Sequence, residues 1–515
     1  MALVSPVNIR RIIPIEAYRP YEQPGREIAS FLQRGHALAE SLGSHKVWML
    51  NSTETGGGVA EILQRLCSLL NDLGIDTRWL VLKPHRADFF PITKALHNML
   101  HGEPSEHSLE ECQRVYDEVS RAAAEDLRAV VNRSDVLIVH DPQPLGVARY
   151  ISEVHRPHLL WRCHIGVPEA SEVRDRAWRF LSPYLEPYPR LLFSAEQYIP
   201  DEFFDRSGVL SPGIDPLNHK NRGFSLYKAA GILRATGLLD GPETPPWARF
   251  EATAERFSGR EWVRTPIPNL LFTPTIVQIS RFDRLKGFEQ LLEGFIRLIH
   301  PHDTDLERLK LNTERALSEL SMVQLILAGA DPGGIADDPE GLAVLQGLTR
   351  RISALEPGVA RRIHLVRLPM VDFRQNALMV NALQRVANVV VQCSLKEGFG
   401  LTATEAMWKT VPIVASAVGG LELQIRPGVD GHLIRDPMNP EDIADALLQP
   451  LLHPRRAESM AREAHSRVRL HFLVLNELAG WLTELERILA ARGHDAHAEG
   501  EGARMHDSAP APAQA

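Results

Sequence analysis

The sequence predicts an α/β protein of two doubly wound, Rossmann-like domains facing each other across a cleft. Its 515 residues are too many for one hydrophobic core. Short apolar strands alternate with amphipathic helices in two separate series, the pattern of βαβ units and parallel sheets. Glycines and charged side chains gather just after several of those strands, where sheets of this kind bind ligands. At 44% hydrophobic and 24% charged residues the composition is that of an ordinary globular protein.

The elements follow in order. Residues 1–45 read as an N-terminal extension with a helix near Glu27 to Leu42. The first domain, 46–265, opens with the strand Lys46–Leu50, a loop ending in Gly56-Gly57-Gly58 and a helix from Val59 to Leu73. Thr77–Leu82, Val136–Val139, Leu159–Cys163 and Leu191–Phe193 are further strands of its sheet. Proline and polar residues thicken from about 240 to 270, which places the interdomain linker there. The second domain, 266–470, begins at Thr275–Ser280 and continues through Val323–Leu327, Ile363–Val366, Asn388–Gln392 and Pro412–Ala415, with a charged helical insertion at 301–320. A helix at 471–492 is expected to cross back to the first domain, and residues 493–515, rich in Ala, Gly, Pro, His and acids, to be disordered.

The most informative stretch is Glu397-Gly-Phe-Gly-Leu-Thr-Ala-Thr-Glu405. Gly398 and Gly400 let a ligand approach the backbone closely, and the first N–H groups of a Leu401–Trp408 helix suit phosphate. Glu405, one turn in, faces the same cleft as Glu397, and carboxylates accept from sugar hydroxyls. The combination points to a nucleotide-sugar site. Arg281 and Lys286, after the first strand of the second half, offer a planar fork and an ammonium for a diphosphate leaving group; a solvated basic loop is the plain alternative. The glycine triplet is either an anion cradle or a structural tight turn, being neither a dinucleotide fingerprint nor a Walker A loop. His140-Asp141-Pro142 and His164 close two neighbouring strands of the first half, and a lone histidine at a strand end is often merely structural.

A formal charge of −8 with no basic stripe argues against nucleic acid. No apolar run reaches the length of a membrane span, and the start carries no secretion signal, so a cytoplasmic protein is expected. Cys67, Cys112, Cys163 and Cys393 have no metal spacing and read as buried thiols in a reducing compartment. Asp303-Thr-Asp305 lies inside the charged insertion rather than after a strand, so no metal site is expected and no cofactor.

These residues carry a resemblance. The Glu-x7-Glu element, the Arg/Lys loop, the glycine loop and His164 resemble the retaining GT-B glycosyltransferases of family 4. Further runs narrow it to the trehalose glycosyltransferring synthases: Phe89-Phe90 with Thr93-Lys94 and His97-Asn98, Val139-His-Asp-Pro-Gln-Pro144, and Ser211-Pro-Gly-Ile-Asp-Pro216 with Lys220-Asn221. The resemblance implies a retaining glucosyltransferase that joins the glucosyl group of UDP- or ADP-glucose to glucose, forming trehalose reversibly. It implies that His164, Arg281, Lys286 and Glu397 are catalytic. It implies a donor site of Gly57, Gly58, Arg281, Lys286, Gly398, Phe399, Gly400, Leu401, Thr402 and Glu405, with Asp141 and His164 on the acceptor side. Its partners would be a nucleotide-sugar and a small sugar, and a homodimer is compatible with the class. The related trehalose phosphorylases, which use phosphate in place of the nucleotide diphosphate, are the nearest rival, together with a related disaccharide-forming transferase with another acceptor, followed by a binding protein that has lost turnover.

Overall fold

The computed structural model describes residues 2–9, 13–54, 58–241, 249–258, 260–301, 313–334 and 340–506. Among them the first sheet has seven strands: β1 (Val4–Val7), β2 (Val47–Asn51), β3 (Thr77–Leu82), β4 (Val136–His140), β5 (His158–Cys163), β6 (Arg190–Phe193) and β7 (Ser207–Val209). Their order is β1-β3-β2-β4-β5-β6-β7, parallel throughout except for β1. The central β2 and β4 are buried along their whole length, which is why they read as continuous apolar runs.

The second sheet contains β8 (Glu255–Ser258), β9 (Glu261–Val263), β10 (Thr275–Ile279), β11 (Gln324–Ala330), β12 (Ile363–Leu368), β13 (Val389–Gln392), β14 (Ile413–Ser416) and β15 (His432–Ile434). Their order is β15-β14-β13-β10-β11-β12-β8-β9, with β10 to β15 parallel and the β8–β9 hairpin antiparallel on β12. Two Rossmann-like domains result, as expected.

Three boundaries differ from expectation. The described residues of the stretch from 240 to 270 form no linker: β8 and β9 close the edge of the second sheet, and Leu238, Ala254 and Ile267 share a core with Val277 and Met379. The helix Leu226–Ala235 packs there too, so the chain leaves the first domain near Asn221 rather than at 265. The hairpin itself is charged, with Glu255, Arg256, Arg260 and Glu261, which an edge strand tolerates, and the prolines lie outside it. The first 45 residues are likewise no appendage. β1 pairs with β3, and Ile28, Phe31 and Leu38 of the helix Ile28–Leu42 are buried in the first domain's core. Finally, the last helix runs Val474–His506, past residue 493 where disorder is expected. Extending an existing helix avoids the cost of nucleation, and the Ala and Glu there favour it.

That helix does cross back. Leu475, Leu478, Trp481, Leu482 and Leu485 pack among Ile28, Phe31, Leu66 and Leu70 of the first domain. Arg190 holds Glu484 through both carboxylate oxygens at 3.0 Å. The two crossings between domains also bond to each other: Ile214 N donates to Phe472 O (2.8 Å) and Val474 N to Ile214 O (2.9 Å). Within the expected insertion, the helix Thr313–Met322 is described, whereas Asp303 and Asp305 lie outside the described residues. All four cysteines are buried and free.

Candidate functional site

Every loop singled out by the sequence leaves the carboxyl end of a parallel strand. In the second domain the chain leaves β10 at Ser280, and Phe282 anchors the loop by packing on Phe288, with ring centroids 5.1 Å apart. A turn at Arg284–Lys286 then delivers Lys286, whose Nζ lies 2.6 Å from Glu397 Oε2. Ser394 Oγ donates to the same carboxylate oxygen at 3.0 Å. Beneath them, fully buried Gln278 donates to Lys286 O (2.8 Å) and accepts from Cys393 N (2.9 Å). One amide thus holds the loops of Lys286 and Glu397 in register, a role that no sequence motif announces.

After Glu397 the chain turns at Gly400, whose φ of 91° favours glycine, and enters the helix Leu401–Trp408. A side chain on Gly398 would meet His164 O at 3.1 Å, so this turn lies against the first domain. A Cβ on Gly58 would lie 3.5 Å from Leu401 Cδ1, which brings the end of the glycine loop to the helix N-terminus; Gly56 and Gly57 lie outside the described residues. Leu401 and Thr402 are half-buried at that terminus, where N–H groups favour an anion. Phe399 is different: its ring is 5% exposed and packs edge-on against Phe472, so only its backbone is available to a ligand.

Glu405 is buried, with Lys220 Nζ 3.8 Å away, and Lys220 is also 2.8 Å from Glu61. Burial raises the Glu405 carboxyl against the opposing pull of Lys220 and Lys409. Burial alone would lower Lys220, but Glu405 and Glu61 outweigh it and hold the ammonium charged. Beside them Lys409, buried and donating to Asn221 Oδ1 at 3.1 Å, is lowered to about 7.

Across the cleft, Asp141 Oδ1 accepts from His164 N at 2.8 Å. Asp141 sits at φ 64°, ψ 174°, a region nearly reserved for glycine that costs about 1–3 kcal/mol. Burial raises its carboxyl to about 6. The His164 ring is 3.0 Å, Nε2 to Nδ1, from His140, and burial holds His164 well below the usual histidine range.

Several residues that the sequence leaves without a role also reach the site. On the helix Phe89–Leu100, Lys94 Nζ lies 3.7 Å from Asp283 Oδ2 of the opposite domain. His97 is kept neutral by burial and by the charges of Lys94, Arg281 and Lys286, while His101 feels both Glu397 and Lys286. Tyr198 donates across the cleft to Gly398 O at 2.8 Å. Arg284–Glu103 (2.6 Å) and Lys396–Glu169 (3.6 Å) also join the domains. The site therefore presents three cations, Lys94, Arg281 and Lys286, beside two neutral histidines, a carboxylate and a helix N-terminus. That set can hold a diphosphate against a sugar.

Residues 49–200 match the family described as trehalose synthase, N-terminal domain, and residues 369–467 match glycosyl transferases group 1. A trehalose synthase from Thermococcus litoralis is 32% identical over 448 residues, covering 87% of this chain and 91% of the relative. A trehalose phosphorylase from Pleurotus pulmonarius is 24% identical, covering 75% of this chain and 50% of that protein. Among solved structures, an α,α-trehalose-phosphate synthase (UDP-forming) from Burkholderia xenovorans, in complex with glucose-6-phosphate, superposes with a TM-score of 0.60 at 16% identity. It covers 86% of this chain and 100% of its own, and the likeness shows the fold, GT-B.

Proposed function

This chain belongs to the trehalose synthase family of glycosyltransferases, and from that premise we propose that it transfers glucose from UDP- or ADP-glucose to glucose with retention, as in family 4, forming trehalose reversibly. The observation that carries the reading is the 2.6 Å approach of Lys286 Nζ, on a loop that also carries Arg281, to Glu397, which stands just ahead of the Leu401–Trp408 helix. Arg281, Lys286 and the helix terminus receive the diphosphate, and Lys286 stabilises the charge that builds as the nucleotide departs. Glu397 and the backbone from Gly398 to Leu401 take the donor sugar's hydroxyls, and Glu405 the ribose.

Retention through a covalent intermediate needs a carboxylate nucleophile. Asp141, the acceptor-side carboxylate, is engaged by the His164 N–H. We propose a front-face route instead, in which an oxygen of the leaving phosphate takes the proton of the attacking hydroxyl. His164 and Asp141 shape the acceptor side, and the contacts across the cleft exclude water that would hydrolyse the donor.

Incubating the protein with trehalose and either UDP, ADP or inorganic phosphate tests this. Nucleotide-glucose formed with a nucleotide alone is the expected result. Glucose 1-phosphate formed with phosphate alone would overturn the nucleotide dependence.

A further inference from the structure

His140 stands behind His164, 1% exposed, and has no assigned part in the transfer. Its Nε2 lies 3.4 Å from Met49 Sδ and its Nδ1 3.0 Å from His164 Nε2. A thioether carries lone pairs and no hydrogen, so it can only accept, which favours the proton on His140 Nε2. A neutral imidazole has one N–H, so Nδ1 of His140 is then bare. Two bare nitrogens at 3.0 Å would repel, so His164 must present Nε2–H to it. Both rings are neutral: burial, then the charge of buried Arg162, lowers His140 to about 3 and His164 well below its usual range.

We infer that His140 is a positioning residue, which fixes His164 as the Nε2–H tautomer and leaves His164 Nδ1 as a bare acceptor for a sugar hydroxyl. Residues 140 and 141 then act as one clamp: the His140 ring orients the His164 ring, and the Asp141 carboxylate holds the His164 backbone at 2.8 Å. The strained backbone of Asp141 places both groups on the same neighbour. The groups around the pair are Arg162, Asp141 and the Trp481 ring, 6.0 Å from His140. None of these supplies His140 Nδ1 with an alternative donor in the described structure.

The clause about a sugar hydroxyl rests on the transfer reading above; the tautomer does not. Nitrogen-15 histidine spectra of the full chain at neutral pH, assigned with His140→Gln and His164→Gln, read the ring directly. We expect His164 Nε2 protonated and Nδ1 bare, and the reverse tautomer would overturn the inference. In the trehalose-plus-UDP assay, His140→Leu removes the acceptor and should lower kcat about tenfold, the worth of one hydrogen bond to a reacting group. His140→Asn keeps an acceptor oxygen at the place of Nδ1 and should recover most of that loss, with nucleotide affinity unchanged in both. Equal rates for the leucine variant and the parent, or no rescue by asparagine, would count against the positioning role. Correct tautomer with no turnover by the parent protein on any donor would instead refute the proposed function.

Discussion

Replacing Lys286 with methionine keeps the length of the side chain and removes its charge. The ammonium lies 2.6 Å from Glu397 and is about one-fifth exposed, at 21% for the side chain, so solvent screens it only in part. A charged donor aimed at a developing phosphate charge contributes about 3 kcal/mol, or about 150-fold in kcat. Arg281 remains, so nucleotide binding should weaken far less than turnover. Glu397 keeps the hydroxyl of Ser394 but loses its cation, so Lys286→Met and Glu397→Gln together should cost less than the sum of the two alone. The assay is the initial rate of nucleotide-glucose formation from trehalose, beside calorimetric titration of the nucleotide and a far-ultraviolet spectrum. A folded Lys286→Met enzyme turning over within about threefold of the parent would refute the assignment.

Other outcomes follow from the same geometry. Tyr198→Phe deletes the hydroxyl that reaches Gly398 O, a bond of about 1 kcal/mol that exists only with the domains together. It should raise KM about fivefold at unchanged melting temperature, and an unchanged KM would remove Tyr198 from closure. Asp141 holds its proton up to about pH 6 in the folded state, against about 3.9 unfolded. The folded chain thus binds more protons between those values, and stability falls by up to roughly 3 kcal/mol as pH rises through that window. Asp141→Asn should therefore melt above the parent at pH 7.5 and lose that advantage at pH 4; superimposable pH profiles would contradict this. Ending the chain after Arg492 should leave activity and melting unchanged, because the packing described for the last helix lies between Val474 and Leu489, whereas ending it before Val474 should abolish folding. Loss of activity in the chain ended after Arg492 would show that the remaining turns matter.

The strands that line the cleft were legible because burial on both faces turns a parallel strand into an apolar run, as in Val47–Asn51 and Val389–Gln392. Glu397, Gly400 and Glu405 were legible because a glycine turn and a helix start are local. The hairpin at 255–263 was not: a short edge strand shares its polar composition with a linker, and only its pairing to β12 tells them apart. Lys94 and His97 were legible only as members of a family run, without a role, and Tyr198 not at all, because their importance comes from the opposite domain. Nothing within the helix Phe89–Leu100 records that Asp283 lies 3.7 Å from Lys94. Gln278 sits inside a strand, and its two loop contacts arise from separate parts of the chain.

The last helix supplies one face of the first domain's core, next to residues that stand near the start of the chain. During synthesis the first half therefore emerges with the surface around Ile28, Leu66 and Leu70 uncovered, and stays so until Val474–Leu485 leaves the ribosome. The second domain, formed from one unbroken stretch, has all its strands at hand well before then. The usual order, with the amino-terminal domain folding first, is therefore expected to reverse. A ribosome-bound chain stopped short of Val474 should resist protease over the second domain while its first remains open to cleavage and to chaperones.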